Sequence, residues 1–501
     1  MQYYSTRDKS CLLPSAAAIL RGIAPDGGLF VPQALPRFSI DEIEEMGNLP
    51  YPELAAAVLS RWLTDYRHDE LLGFCREVYA AERFESADTA PLYMLSEDTA
   101  ILELFHGPTC AFKDFALQLL PRLLHAAARK CGEEKTVAIL AATSGDTGKA
   151  ALMGFADVPG TCIGVFYPEG GTSDIQRLQM VTQKGENVAV FAVKGNFDDA
   201  QSGVKDIFGD RALAERLGKA GILLSSANSI NWGRLAPQTA YYFSAYAGLV
   251  KSGAVKSGQA VNFCVPTGNF GNILAGYLAK KSGLPIHKLI CASNENNVLA
   301  DFMETGLYDK NRPFVRTASP SMDILISSNL ERLLFLLSGR DDARCREWMA
   351  ALRESGRYDV GGDMLRSLRG EGFVGGWAGD GQAGAEIARV FRETGYLCDP
   401  HTAVAVRVQR QYRARTGDQT PTVILSTASP FKFAPGILSA LGEEKSQNEF
   451  AMLHRLSALS GLPVPPALAD LRSQPVRFDG VCGKNDMRAA VCAWLERESS
   501  K

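Results

Sequence analysis

The chain has 501 residues, 46% of them hydrophobic and 22% charged, the mixture of a folded globular protein of roughly two to four domains. A net charge of −3 argues against a nucleic-acid binder or a membrane-surface protein, and no apolar run approaches the ~20 residues that span a bilayer. Met1–Pro14 lacks the apolar core of a secretory signal, the 11 cysteines never form Cys-x-x-Cys, and the 6 histidines never pair at metal-ligand spacing. A cytoplasmic enzyme with no disulfide framework and no metal is expected.

Residues 1–92 read as a first unit, with a turn and strand in Ile23–Pro32 and helical stretches at Leu54–Leu63 and Glu70–Arg83. The segment His106–Gln118 follows, with Lys113 among Ala111, Phe112, Phe115 and Ala116. A lysine is ordinarily solvated, and at a helix start that is the default reading. Here Asp114 and the preceding Gly-Pro turn place Lys113 in a first helical turn, ahead of the apolar run Leu117–Leu124. The helix dipole and apolar neighbours both disfavour the ammonium, and a free amine is what imine chemistry with a carbonyl compound requires.

Apolar runs then alternate with helix-length segments. Val137–Ala142, Cys162–Tyr167, Val188–Val193, Ile222–Leu224, Val261–Val265, Leu289–Cys291 and Val423–Leu425 predict buried strands. They lack clean polar alternation, as parallel strands covered on both faces do. The intervening helical stretches Ile175–Gln183 and Asp198–Leu217 predict a doubly wound α/β architecture. The strands lead into the polar loops Thr143–Gly148, Pro266–Asn272 and Ser426–Pro430. Ligand sites in such sheets lie at carboxyl strand ends, so these loops predict one shared cleft. Residues of about 300–400 read as an insertion or cap, and 437–501 as a helical closing segment.

The loop Thr267–Asn272, just before the helical run Ile273–Lys281, suits a phosphate: glycines let N–H groups converge at a helix N-terminus. A plain strand-to-helix turn would use the same glycines. Thr143–Lys149 fails as a nucleotide P-loop, because Thr143 stands where glycine is needed and Ala150 follows Lys149. It remains a receptor for a carboxylate, or simply a helix cap. Gly379–Gly384 has the dinucleotide spacing, but Gly372–Trp377 before it is short and broken by glycine for the buried strand required. In Ser225–Arg234, the Arg234 guanidinium suits a phosphate or carboxylate, with a structural ion pair equally open. Cys110 is read as a small buried hydrophobe.

Taken in order, these stretches closely resemble the threonine synthases, fold-type-II pyridoxal-phosphate enzymes. The resemblance rests on Tyr4–Arg7, Ala24–Phe30, His106–Thr109, Phe112–Asp114, Ser144–Gly148, Asn228–Arg234, Thr267–Asn272, Asp399–Ala403 and Ser426–Pro430. It spans nearly the whole chain and implies two doubly wound α/β domains like the tryptophan synthase β-subunit, plus an N-terminal α+β domain. The expected division is 1–92 for the N-terminal domain and 93–436 for the catalytic core, which holds a smaller closing subdomain at about 120–240. The helical segment 437–501 completes it.

The resemblance also implies roles. Lys113 would carry pyridoxal 5'-phosphate as a Schiff base and act as the mobile acid and base. Phe112, Gly268, Asn269, Phe270, Gly271 and Asn272 would line the cofactor site, and Thr427 would hydrogen-bond the pyridine nitrogen. Ser144, Asp146 and Thr147 would receive the substrate carboxylate, and Lys149, Asn228, Asn231 and Arg234 its phosphate. The implied reaction converts O-phospho-L-homoserine and water to L-threonine and phosphate. A lyase releasing 2-oxobutyrate and a non-catalytic pyridoxal-phosphate binder are the alternatives. Whether the chain is a monomer or a homodimer is not legible.

Overall fold

The computed structural model describes residues 1–498 apart from 144, 445 and 447, and omits the side chain of residue 198. Two largely parallel sheets organise it. The larger has six strands in the order Phe373–Trp377, Ile286–Ser293, Val261–Pro266, Thr422–Ser426, Thr99–Glu103, Leu92–Ser96. Only the last pairing is antiparallel. Every residue of Val261–Pro266 and Thr422–Ser426 is buried, which is why these strands carry no polar alternation. The smaller sheet runs Val481–Gly483, Val188–Lys194, Thr161–Pro168, Thr136–Ala142, Ile222–Ser225, all parallel. Each of the seven anticipated strands occurs, extended by a residue or more where the backbone continues the ladder.

The N-terminal unit is a three-stranded antiparallel sheet of Gln2–Ser5, Leu12–Pro14 and Phe30–Pro32, with the helices Tyr51–Trp62 and His68–Val78. It is tied to the rest by buried and partly buried polar contacts. Arg7 is bidentate on Glu331, at 2.8 and 2.7 Å, and Ser225 donates to the Leu20 carbonyl at 2.9 Å.

Three expectations change. The stretch Asp198–Leu217 is two helices, Phe197–Gly209 and Arg211–Lys219, because Asp210 interrupts the first and caps the second, accepting from the Leu213 N–H at 2.9 Å. The segment 437–501 is more than helical. It adds the edge strand Val481–Gly483 to the smaller sheet and lays Met487–Glu498 against it, burying Met487, Val491, Trp494 and Leu495. Gly164 makes room for this helix, since a Cβ there would lie 2.8 Å from the Trp494 ring.

The 300–400 region, read as a cap, is partly integral, because Phe373–Trp377 is a strand of the larger sheet. Its glycines reflect close packing, a Cβ on Gly375 falling 2.8 Å from the Ala300 carbonyl and one on Gly376 2.6 Å from Val408. The helix Asp380–Thr394 follows, so the strand thought missing from the dinucleotide pattern is present. The pattern still fails on charge. At that helix start the Asp380 N–H donates to the Glu295 carboxylate at 3.2 Å, and the Asp380 carboxylate accepts from Ala318. A pyrophosphate there would meet two carboxylates.

Candidate active site

The loop before Lys113 is held by backbone bonds to the loop after Thr422–Ser426. Phe112 N–H donates to the Thr427 carbonyl at 2.9 Å, and Ser429 N–H to the Cys110 carbonyl at 3.0 Å. Buried Asp114 accepts from the N–H and hydroxyl of Thr109 at 2.8 and 2.7 Å. Gly107 packs on that carboxylate so closely that a Cβ would lie 2.6 Å from it. Burial pushes the Asp114 carboxyl up to about 6. Cys110 is buried and its thiol is pushed far up by desolvation, which makes it inert packing.

Lys113 opens the helix Lys113–Leu117. That helix has only 5 residues, too few for the dipole argument to carry much, and a second helix, Leu120–Lys130, follows it. Burial is the larger effect. The Nζ donates to Ser321 Oγ at 3.0 Å and lies 3.5 Å from Asp146 Oδ2. Desolvation lowers the Lys113 pKa; Asp146 opposes this, and the charges of Lys432 and Arg234 add to it. The amine is thereby driven towards its nucleophilic form.

Asp146 comes from the smaller sheet's side, at the start of the helix Asp146–Phe155. Its Oδ1 is 2.7 Å from Lys432 Nζ, which also donates to the Thr109 carbonyl at 2.9 Å. Gln176 Nε2 donates to the same oxygen at 3.3 Å. Burial works against the Asp146 anion, yet Lys432 and Lys113 outweigh it and hold the carboxyl far below its usual range. An anion so placed repels a substrate carboxylate, so the side chain of Asp146 is a counter-ion rather than a receptor. What this loop can offer an anion is backbone N–H groups and the half-buried Thr147. Thr143 shapes the turn, its hydroxyl accepting from the N–H groups of Gly145 and Gly148 at 2.9 and 3.0 Å. Ser144 lies outside the described residues.

The loop Thr267–Phe270 links the strand Val261–Pro266 to the helix Gly271–Lys281. Phe270 adopts φ 64° and is buried, which turns the chain sharply and leaves the first helical N–H groups facing the loop. Gly268 lies against Ser321, whose carbonyl would be 2.7 Å from a Cβ. Asn269 is exposed, and its carbonyl accepts from Asn329 Nδ2 at 3.0 Å. Asn272 is buried, with Oδ1 accepting from the Tyr241 and Tyr242 hydroxyls at 2.7 and 3.0 Å. Its Nδ2 is buried with no acceptor among the described residues. In this orientation the amide nitrogen is left to donate into the loop.

The segment 226–234 divides sharply. Asn231 is spent on the fold: Nδ2 donates to the Ile19 and Ser226 carbonyls, both at 3.0 Å, and Oδ1 accepts from Gly233 at 2.8 Å. No donor remains for a substrate phosphate, which removes it from the expected set. Asn228 is exposed, and among the described residues only its backbone is engaged. Arg234 is buried; one nitrogen donates to the Ala227 carbonyl at 2.6 Å and Nε has no acceptor among the described residues. The expected alternative, an ion pair, is not found among the described residues. Burial pushes the guanidinium down to about 10, the cost of a charge held without a carboxylate. Lys149 donates to Gln183 Oε1 at 2.6 Å, and burial pushes it down to about 8.

Three contributors went unassigned in the sequence. Ser321 lies in the 300–400 region with no motif around it. Lys432 follows the Ser426–Pro430 loop by two residues. His401 stood in the quoted stretch Asp399–Ala403, yet its role needs the fold: Nδ1 pairs with Asp399 Oδ1 at 2.7 Å, and Nε2 accepts from the Ser321 N–H at 3.2 Å.

These residues fit a phosphorylated aldehyde cofactor: a buried lysine of lowered pKa, an unsatisfied amide donor at a helix N-terminus, and a hydroxyl residue, Thr427, at a neighbouring strand end. Comparison with known proteins agrees. Residues 2–79 match the family model "Threonine synthase N terminus", 100–428 "Pyridoxal-phosphate dependent enzyme" and 402–491 "Threonine synthase, C-terminal". Threonine synthase of Pseudomonas aeruginosa is 43% identical over 441 residues, covering 88% of this chain and 90% of that one. Human threonine synthase-like 1 is 41% identical over 457 residues, but the chain spans only about 60% of that protein's length. The solved structure of pyridoxal-phosphate-bound threonine synthase from Brucella melitensis superposes with a TM-score of 0.88 at 37% identity, covering 100% of both chains. That of the yeast enzyme gives 0.87 at 32%, covering 99% of both. The chain therefore belongs to the threonine synthase family of fold-type-II pyridoxal-phosphate-dependent enzymes.

Proposed function

We propose that the chain converts O-phospho-L-homoserine and water to L-threonine and phosphate, the last step of threonine biosynthesis, in the cytoplasm. The observation that carries this reading is Lys113 itself: a buried amine of lowered pKa, 3.0 Å from Ser321 Oγ, among loops with unsatisfied donors for two anions. Pyridoxal 5'-phosphate, when bound, supplies an electron sink for charge developing at the substrate's Cα and Cβ.

Each residue then has a task. Lys113 tethers the cofactor and, once displaced, takes protons from Cα and then Cβ as phosphate leaves Cγ, and returns protons at Cγ and, after water adds at Cβ, at Cα. Gly268, Asn269, Phe270, Gly271 and Asn272 hold the cofactor phosphate through backbone N–H groups and Asn272 Nδ2, beside Phe112. Thr427 hydrogen-bonds the pyridine nitrogen through an uncharged hydroxyl. Ser144 and Thr147, with the backbone around Gly145, receive the substrate carboxylate. Arg234 takes the substrate phosphate, with Asn228 at the rim. The core, 93–436, does the chemistry, while 1–92 and 437–501 brace it; the smaller sheet closes over bound substrate to keep water out until phosphate has left.

The test is to load the protein with pyridoxal phosphate, add O-phosphohomoserine and quantify threonine, phosphate and 2-oxobutyrate together. Threonine equal to phosphate is expected. Phosphate with 2-oxobutyrate would make it a lyase on the same scaffold, and no product would remove the substrate assignment.

A further inference from the structure

Four groups from separate parts of the chain converge on one serine. Ser321 Oγ accepts from Lys113 Nζ at 3.0 Å and donates to Asp146 Oδ2 at 3.4 Å. Its N–H donates to His401 Nε2 at 3.2 Å, and its carbonyl packs on Gly268 of the phosphate loop. His401 is itself buried and oriented, its Nδ1 held by Asp399 at 2.7 Å. A carboxylate can only accept and a peptide N–H can only donate, so the imidazole carries its proton on Nδ1 and offers its lone pair at Nε2. Asp399 is locked in turn, accepting from the N–H groups of His401 and Thr402 at 2.9 and 3.3 Å.

Ser321 begins no long element; it sits in the short 3₁₀ turn Pro320–Met322, which by itself would not hold a hydroxyl in register. The buried Asp399–His401 pair supplies that register. We infer that Ser321 is the positioning residue that seats the Lys113 amine while it is detached from the cofactor, and that Asp399 and His401 hold Ser321 in place for this. The seat matters because the freed amine swings on a four-carbon stem, and proton transfer at Cα demands a fixed approach. With Ser321 and Asp146 both engaging Nζ, the amine is kept near the point where it was released. The inference rests on the activity proposed above only for its kinetic readout.

The test compares Ser321→Ala, Ser321→Thr and His401→Leu with the unaltered full chain, using three readings. With O-phosphohomoserine, Ser321→Ala should lose at least tenfold in kcat with KM within twofold. The isotope effect from Cα-deuterated substrate should rise, because proton removal becomes limiting. Ser321→Thr, which keeps a hydroxyl, should recover most of kcat, and His401→Leu should resemble Ser321→Ala. The third reading needs no turnover: the rate at which cofactor-free protein captures pyridoxal phosphate, followed by absorbance, should fall severalfold in Ser321→Ala and recover in Ser321→Thr. An unchanged capture rate together with an unchanged isotope effect would overturn the inference, as would a Ser321→Ala defect that Ser321→Thr fails to rescue. If the unaltered chain makes no threonine, the activity reading fails, and the capture rates still decide the role of Ser321.

Discussion

Lys432 Nζ lies 2.7 Å from Asp146 Oδ1, both side chains buried, and this pair joins the end of the larger sheet to the first turn of a helix beside the smaller one. Asp146 also faces Lys113, so one carboxylate lies against two lysine side chains. Removing one partner of a buried pair leaves an uncompensated charge, at a cost of about 3–5 kcal/mol. Lys432→Met should therefore destabilise the protein and slow turnover, whereas Lys432→Met with Asp146→Asn should recover part of the stability and none of the activity. Denaturant titration of the single and double variants checks this; strictly additive losses would mean the two residues do not act as a pair.

Lys113→Ala should abolish both turnover and the absorbance of cofactor bound through an imine, while far-ultraviolet circular dichroism stays unchanged. The side chain stands in a polar cluster whose other members, Asp146 and Lys432, still neutralise one another. Turnover retained by this variant would remove Lys113 from the chemistry.

Thr427→Ala should keep the cofactor absorbance, because the lysine tether is intact, and lower kcat about tenfold with little change in KM, the upper range of one ordinary hydrogen bond at about 0.5–1.5 kcal/mol. The Thr427 backbone carbonyl still holds Phe112, so the loop should keep its shape. An unchanged kcat would exclude a role for the hydroxyl.

Arg234→Gln should raise KM for O-phosphohomoserine at least tenfold, since a charge-assisted contact to phosphate contributes about 1.5–3 kcal/mol. The same change removes a buried charge with no carboxylate partner, so it should not lower the thermal midpoint. A lowered midpoint with unchanged KM would make Arg234 a structural residue.

Lys149→Met bears on stability and pH. Burial lowers the Lys149 pKa from 10.5 to about 8, so between those values the unfolded chain binds more protons than the folded one. The folded state carries the full penalty of a buried ammonium below pH 8 and is relieved of it as pH rises towards 10.5. Lys149→Met should thus raise the thermal midpoint at pH 7, with the gain shrinking as pH approaches 10. A gain constant with pH would assign the effect to packing, and a loss would make the Gln183 hydrogen bond the stronger term.

The seven central strands were legible because each is an apolar run buried on both faces, and the loops at their ends because glycine, threonine and asparagine cluster there. The three-residue strand Val481–Gly483 carries no such signal; it is a strand only because Val188–Lys194 presents a free edge to it. Phe373–Trp377 was misread for the opposite reason, its glycines marking close packing against Ala300 and Val408 rather than a break in the strand.

In the site, the sequence by itself determined Lys113, whose apolar flanks and preceding turn announce a desolvated amine, and the loop Thr267–Asn272, whose residue types declare an anion cradle. The tertiary structure alone decided which polar side chains are free. Asn231 and Asn272 are both buried amides in quoted motifs, yet the backbone carbonyls of Ile19 and Ser226 take up the nitrogen of one, while the nitrogen of the other, whose oxygen faces two tyrosine hydroxyls, has no acceptor among the described residues. Ser321 and Lys432 entered the site in the same way. A hydrogen bond depends on distance and direction in space, and contacts spanning 208 residues, as between Lys113 and Ser321, leave no mark in local composition.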